Sequence, residues 1–317
     1  MSGAHPGGLT RVAAIDCGTN TLRLLIADID LESVNPVHQV LREMRTVRLG
    51  EGVEATGRFA STALARTREA LIEYAAMIAE HDVQNTRMVA TSATRDAANR
   101  SELFDIVAST VAARPEVISG DQEGRLTFRG VLSGLTLDGP STVVDIGGGS
   151  TELFVGDASG VDRGVSMNIG VVRLTERHVR SDPPLRAELE RIEQDVATAV
   201  REALVEINRP VTGPLIGVAG TATTAAALAH RMPGYDPKLI HGLRTPYGDL
   251  VEVADWAARV DTAARAAHPA MHPGRAGVFP AGMVILRTVM ATLGADALTV
   301  SESDILDGIA LSIAEGQ

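Results

Sequence analysis

Residues 14–28 read AIDCGTNTLRLLIAD and residues 143–157 read VVDIGGGSTELFVGD, one pattern recurring 129 positions apart. Asp16 aligns with Asp145, Gly18 with Gly147, Thr21 with Ser150, Leu24 with Leu153 and Asp28 with Asp157. Each copy is an apolar strand ending in Asp-x-Gly, a tight turn of small residues, and a second apolar strand. The turn needs Gly, Asn, Thr or Ser because backbone amides must converge there with no bulk in the way. Converging amides form an anion-binding nest to which hydroxyls add donors, and an aspartate at the strand end is placed to hold a hard divalent cation against a phosphate. One copy alone reads equally well as a β-turn with glycines. Two copies in one register predict two like halves that grip a phosphate from both sides of a cleft.

The rest of the chain alternates strand-like and helix-like segments. Strands are predicted at Arg11–Asp16, Leu22–Asp28, Arg87–Ala90, Glu116–Ile118, Thr142–Ile146, Glu152–Gly156, Gly164–Asn168, Pro214–Ala219 and Ala297–Ser301. Helices are predicted at Ser61–His81 behind a serine cap, Ser101–Ala113, Asp121–Leu132, Leu185–Ile207, Thr221–Arg231, Leu250–Val260, Met283–Leu293 and Ile305–Ala314. Such alternation means α/β layers with helices covering a sheet. The 317 residues suit two domains: a flexible lead over 1–10, a first lobe over 11–130, and a second over 131–317 whose last helix, about 304–317, packs back on the first.

Composition removes several function classes. With 45% apolar and 22% charged residues the chain is neither collagen, disordered nor a coiled coil. No uncharged apolar run reaches the roughly 18 residues of a membrane span, and MSGAHPGGLT lacks the basic start and apolar stretch of a signal peptide. Cys17 is the only cysteine, which excludes an internal disulfide and fits a cytoplasmic protein. Against 40 acidic residues there are 29 basic ones, and neither half is basic. A wide cationic face for nucleic acid is therefore not expected, and a polyanionic ligand must be held by a local cluster. Lys238 is the sole lysine, and no GxxxxGK[ST] occurs, which excludes an ordinary P-loop.

The duplicated hairpin resembles the sugar kinase–Hsp70–actin superfamily, and the wider set of motifs resembles the exopolyphosphatase/guanosine pentaphosphate phosphohydrolase (Ppx/GppA) family within it. The matching segments are DCGTNTLRL (16–24), VATSATRDAAN (89–99), ISGDQEGRLTFRGV (118–131), DIGGGSTEL (145–153), IGVVRLTE (169–176), GVAGTATT (217–224) and PGRAGVFPAGMVIL (273–286). They stand in family order across essentially the whole chain. The resemblance implies two ribonuclease H-like (actin-like ATPase) lobes with an interlobe active-site cleft. The chain looks like the short, two-domain form, without the C-terminal HD-type part of longer members. It departs at Gly124, where the family commonly has alanine, at Asp121-Gln122, which replaces a more acidic pair, and at Cys17 and Thr19.

Hydrolysis of a terminal phosphoanhydride needs charge neutralisation on the phosphoryl oxygens, an in-line water and a group that orients it. By resemblance Glu123 is that group; without it, Glu123 reads as a helix N-terminal carboxylate favoured by the dipole. Glu152 holds the repeat position of Arg23 and either positions the water or helps hold Mg²⁺. Asp145 and Asp16 are candidate ligands for Mg²⁺ or Mn²⁺, directly or through water, or else turn caps. Arg23 and Arg95 are candidate phosphate clamps, since a guanidinium takes phosphate oxygens bidentately; the bland reading of Arg95 pairs it with Asp96. Gly18, Thr19, Asn20, Thr21, Gly147, Gly148, Gly149 and Ser150 supply the two nests. Gly220 and Thr221 begin a helix after a strand, a further anion site, and Arg275 adds a distal contact. His268-Pro-Ala-Met-His272 has metal-like spacing, but its prolines predict a loop, and Cys17 is a packing residue.

These features point first to a Mg²⁺-dependent exopolyphosphatase preferring short chains. The second reading is a guanosine pentaphosphate 5′-phosphohydrolase connected with the stringent response. An ATP-dependent small-molecule kinase and a non-catalytic sensor stand behind both. A homodimer is the expected assembly.

Overall fold

The computed structural model describes residues 9–111 and 113–316; most of the flexible lead expected over 1–10 lies outside them. Two sheets carry the architecture. The first contains β1 (Thr10–Cys17), β2 (Thr21–Ile29), β3 (Val37–Thr46), β4 (Asn85–Ala90) and β5 (Pro115–Val117), in the order β3-β2-β1-β4-β5. The second contains β6 (Ser141–Ile146), β7 (Thr151–Asp157), β8 (Gly160–Met167), β9 (Leu215–Val218), β10 (Arg244–Pro246) and β11 (Ala297–Val300), in the order β10-β11-β9-β6-β7-β8. In each, an antiparallel three-strand meander is extended by parallel strands beside its first strand. Apart from edge strand β10, the two sheets have one topology, so the sequence repeat marks a duplicated ribonuclease H-like fold.

The repeat also fixes register. Asp16 lies opposite Arg23 in the first hairpin, and Asp145 lies opposite Glu152 in the second. β6 is buried along its whole length because it pairs on both edges and is covered on both faces, which explains its apolar run TVVDI.

Helices α1 (Val53–Thr56), α2 (Ser61–Glu80), α3 (Ser92–Asp96) and α4 (Arg100–Thr110) belong to the first lobe. Ser61 is the first residue of α2 and not its cap. Ala60 precedes it and offers no side-chain bond, its carbonyl taking the amides of Ala63 and Leu64 instead. Helix α5 (Gly120–Gly134) leaves the first lobe and lies on β6, β7 and β8 of the second. The second lobe carries α6 (Val171–His178), α7 (Arg186–Ile207), α8 (Ala219–Ala229), α9 (Pro237–Ile240), α10 (Tyr247–Arg259), α11 (Thr262–Ala266) and α12 (Phe279–Leu293). Helix α13 (Ile305–Ala314) then returns and packs on the first sheet, against Val12, Ala14, Leu25 and Val89. It buries Ile305, Leu306, Ile309 and Leu311 there, a gross gain of about 6–12 kcal/mol at ~1.5–3 per side chain before ordering entropy.

The reciprocal exchange of α5 and α13 brings the two helices together between the lobes. Their backbones nearly touch: a Cβ on Gly130 would lie 1.7 Å from the Asp304 carbonyl oxygen, and one on Gly308 would lie 1.9 Å from that of Leu126. Only glycine fits at either crossing point. Residues 268–272 form a loop, as their prolines predict. Among the described residues no helix is long and apolar enough to cross a membrane.

Candidate active site

Both repeat turns close by the same bond, Gly18 N–H to the Thr21 carbonyl and Gly147 N–H to the Ser150 carbonyl, each 3.0 Å. Neighbouring segments then draw the remaining turn carbonyls outward. The Val47 and Arg48 amides donate to the Asn20 carbonyl at 3.1 and 2.9 Å, and the Gly50 amide donates to that of Thr19 at 2.8 Å. At the second turn, Val171 N–H donates to the Gly147 carbonyl at 3.0 Å and Val172 N–H to that of Gly148 at 2.8 Å. Arg173 Nε donates to the Gly149 carbonyl at 2.7 Å. In a trans peptide the N–H points opposite its C=O. Pulling the carbonyls back therefore turns the amides of Asn20, Gly148, Gly149 and Ser150 the other way, the arrangement of an anion nest.

The turns meet directly. A Cβ on Gly148 would lie 2.8 Å from Thr19 Cβ, and one on Gly149 would lie 2.5 Å from Ser92 Oγ, so glycine is required by the opposite lobe and not by a positive φ. Beside them runs a cleft of about 500 Å³. Asp16, Gly18, Thr19, Asn20, Thr21, Arg23, Glu123, Asp145, Gly147, Gly148, Gly149, Ser150, Gly220, Thr221 and Arg275 all line it. Arg95 and Glu152 do not: Glu152 is buried, and the Arg95 side chain, 25% exposed, stands beside Glu123.

Both act on the carboxylates that do line the cleft. Arg95 Nη1 donates to Glu123 Oε2 at 2.9 Å and to the Ile118 carbonyl at 2.8 Å, so its partner is Glu123 and not Asp96, which pairs with Arg173. Glu123 is in the first turn of α5, whose start is set by a Ser119–Gln122 capping box. Glu152 is 1% exposed and accepts from Ser166 Oγ at 2.6 Å. Asp145 accepts only a long 3.3 Å bond from Thr127 Oγ1. Burial, then the charge of Glu152, pushes the Asp145 carboxyl up to about 8. The same two causes raise Glu123 well above the usual carboxylate range against the pull of Arg95. Burial raises Glu152 as well, against its bonds from Ser166 and Ser150.

Asp16 differs. Its Oδ2 takes Arg23 Nε at 2.9 Å and Nη2 at 2.7 Å, while Oδ1 is buried with no partner. Burial raises its carboxyl even beside Arg23. The Arg23 guanidinium is also bound by Asp304, so the proposed clamp is already paired with two carboxylates. Arg42 completes this set, reaching Asp304 Oδ1 at 3.3 Å and Asp307 Oδ2 at 2.7 Å. Burial opposes the charge on Asp304, but Arg23 and Arg42 outweigh it and keep that carboxyl low.

The residues fit a divalent cation of a particular kind. Buried carboxylates without matching positive charge favour a proton or a metal, and Asp16 Oδ1 is an unused oxygen ligand. Among the described residues no three Asp, Glu, His or Cys side chains converge into a ready cage. Such a set suits a hard divalent cation held by one or two carboxylates and completed by water and phosphate.

At the far end, Arg275 Nη1 donates to Thr224 Oγ1 at 2.6 Å and its guanidinium covers Gly220, where a Cβ would lie 1.9 Å from Nη2. Tyr235 joins this end, donating its hydroxyl to Glu302 at 2.5 Å and accepting from the Thr223 hydroxyl at 2.7 Å. Sequence reasoning missed Arg42, Tyr235, Glu302 and Asp304. Only Asp304 left a signal, an Asp just ahead of the apolar run of α13, which the structure makes its N-cap.

Residues 25–316 match the family described as the Ppx/GppA phosphatase family. A protein of Mycobacterium tuberculosis named Exopolyphosphatase 2 is 47% identical over 96% of this chain and 99% of its own. Two solved structures superpose along nearly the whole length. An exopolyphosphatase-like protein has a TM-score of 0.92 at 39% identity, covering 97% of this chain and 98% of that one. The Aquifex aeolicus Ppx/GppA family member has a TM-score of 0.80 at 32% identity, covering 98% and 99%. With this fold, this cleft and these relatives, the chain belongs to the Ppx/GppA phosphatase family and is a hydrolase of phosphoanhydride bonds.

Proposed function

We propose that the protein is a Mg²⁺-dependent exopolyphosphatase that releases orthophosphate from the end of short inorganic polyphosphates. One observation carries the reading: two duplicated amide nests and an uncompensated carboxylate set, with the Arg95–Glu123 pair at its edge, share a single cleft. The nests take the oxygens of the terminal phosphoryl group. Arg95 fixes Oε2 of Glu123, leaving Oε1 to orient a water and accept its proton. A carboxylate raised by burial is a better base than an ordinary one, which suits this task. Water oxygen bonds to the terminal phosphorus, the bridging P–O bond breaks, and the shortened chain leaves with the electron pair. Mg²⁺ held by Asp145 and Asp16 would neutralise charge on the phosphoryl oxygens. Glu152 sets the electrostatics behind Asp145 and Glu123, and its burial behind Ser166 favours that role over direct water contact. The cleft is of small-ligand size, which supports short chains over long ones.

Guanosine pentaphosphate is the second reading. The far end, with Arg275 and the Tyr235 ring, favours it by offering a guanidinium and an aromatic face beyond the nests. Cytoplasmic location and a homodimer go with either proposal. Orthophosphate release from tripolyphosphate and from guanosine pentaphosphate, with Mg²⁺ or EDTA, separates the readings. Glu123→Gln should lower turnover by roughly 10²–10⁴-fold with the fold unchanged; full turnover would remove Glu123 from the reaction.

A further inference from the structure

Arg173 lies outside the cleft, on α6, and touches neither nest from the front. Its three guanidinium nitrogens nonetheless reach three different places. Nε donates to the Gly149 carbonyl at 2.7 Å, Nη1 binds Glu54, and Nη2 binds Asp96 at 2.5 Å. Gly149 belongs to the second lobe's phosphate turn; Glu54 on α1 and Asp96 on α3 belong to the first lobe. The side chain is only 14% exposed, so these contacts are partly shielded from water.

The two nests differ in what holds them. In the first, the Thr19 and Asn20 carbonyls are fixed by backbone amides of the same lobe. In the second, amides of α6 fix the Gly147 and Gly148 carbonyls, but the Gly149 carbonyl depends on a side chain. No backbone amide of the described residues donates to the Gly149 carbonyl, so the hydrogen bond that orients the Gly149–Ser150 peptide comes from Arg173. That donor is itself oriented by carboxylates across the lobe boundary. Two more contacts cross there: Arg177 binds Glu54, and the Gly52 amide donates to Glu176 at 3.1 Å. Asp96 also follows Arg95, the partner of Glu123, in the same short helix.

We infer that Arg173 is a positioning residue that couples lobe closure to assembly of the phosphate grip: with the lobes together, Glu54 and Asp96 orient its guanidinium, which holds the Gly149 carbonyl back and aims the Ser150 amide at the substrate. With the lobes apart, Arg173 loses its two carboxylates and the second nest loses a fixed donor. The inference rests on the two turns being the phosphate grip of the proposed function.

The test uses the full chain, tripolyphosphate as substrate and orthophosphate as competitive probe. Arg173→Ala should raise both KM and the orthophosphate inhibition constant by about 10–100-fold, the worth of one charge-assisted hydrogen bond. Arg173→Lys should not rescue it, because an ammonium cannot serve three acceptors in a fork. Glu54→Gln with Asp96→Asn leaves Arg173 and the turn untouched. It should give an intermediate KM, weaker salt sensitivity of KM than wild type and a larger radius of gyration by X-ray scattering. That pair also serves if Arg173→Ala does not fold. A KM equal to wild type in the carboxylate pair, or an Arg173→Ala protein that melts earlier yet binds phosphate normally, would overturn the inference. A wild type that releases no orthophosphate from tripolyphosphate would instead overturn the functional reading, while scattering of the variants still tests the latch.

Discussion

Gly124 is the position where a small departure from the family pattern has a large structural reason, and it gives the sharpest prediction. An added Cβ would lie 1.6 Å from both Cε2 and Cζ of Phe154. That ring cannot swing aside. It is 1% exposed, and it lies over Gly164, its directly paired cross-strand neighbour, where a Cβ would be 1.8 Å from Cδ1. Phe154 thus fills the volume of two missing side chains, one on α5 and one on β8. Alanine is normally favoured over glycine inside a helix by about 1 kcal/mol. Overpacking a well-filled core costs about 1–3 kcal/mol. Gly124→Ala should therefore be neutral to destabilising by about 2 kcal/mol, where propensity alone predicts a gain. It should also lower turnover, because any outward shift of α5 moves Glu123. Phe154→Leu makes room, so Gly124→Ala/Phe154→Leu should be more stable than the sum of the single effects, with a coupling of about 0.5–3 kcal/mol. Urea unfolding of the four proteins and tripolyphosphate turnover give both readouts. If Gly124→Ala stabilises the protein, or the two changes add independently, the steric reasoning is wrong.

Arg95→Met removes the cation that favours the ionised form of Glu123, so Glu123 keeps its proton to higher pH. Activity that needs the carboxylate is lost as pH falls, and the acidic limb of the kcat/KM profile should move to higher pH; an unmoved limb would separate Arg95 from the base. Burial pushes the Asp145 carboxyl up to about 8 from an ordinary 3.8, so the fold loses stability as pH rises through that window and none below it. Asp145→Asn should accordingly raise the melting temperature at pH 9 but not near pH 4. Mg²⁺ should stabilise wild type between those limits, and more weakly the variant; equal metal stabilisation of both would exclude Asp145 as a ligand.

The nests were legible in the sequence because a turn that converges amides admits few residue types, and duplication exposed the constraint. The apolar hairpins and long amphipathic helices were legible for similarly local reasons. What stayed hidden was either polar or remote. The edge strand β3 reads VHQVLREMRT and is half-exposed along its length, so no alternation betrays it or the Arg42 it carries. Helices α1 and α3 have four and five residues, too few for a period. The pairing of Arg23 with Asp304 spans 281 positions and exists only because α13 returns to the first lobe. The motifs point to Arg95 and Glu152, yet the pairing of Arg95 with Glu123 and the burial of Glu152 beside Ser166 depend on packing that no local pattern encodes.

Duplication supplied two equal backbones, and the charges laid on them have diverged. In the first hairpin the strand-end aspartate faces Arg23, which also binds Asp304, and Arg42 adds a second guanidinium among these carboxylates. In the second the same aspartate faces Glu152, and Glu123 adds a third carboxylate nearby. The first jaw sets guanidiniums among its carboxylates, whereas the second sets three carboxylates close together, which favours a cation or protons there. A cleft built this way has a direction. On the proposed function, the phosphoryl group that reacts would lie against the second jaw and the rest of the chain toward Arg275. On that same proposal, cleavage at the end of a chain follows from that polarity, because a phosphate inside the chain would have to place further negative charge among Asp145, Glu152 and Glu123, where burial and mutual repulsion already outweigh the charges of Arg23 and Arg95.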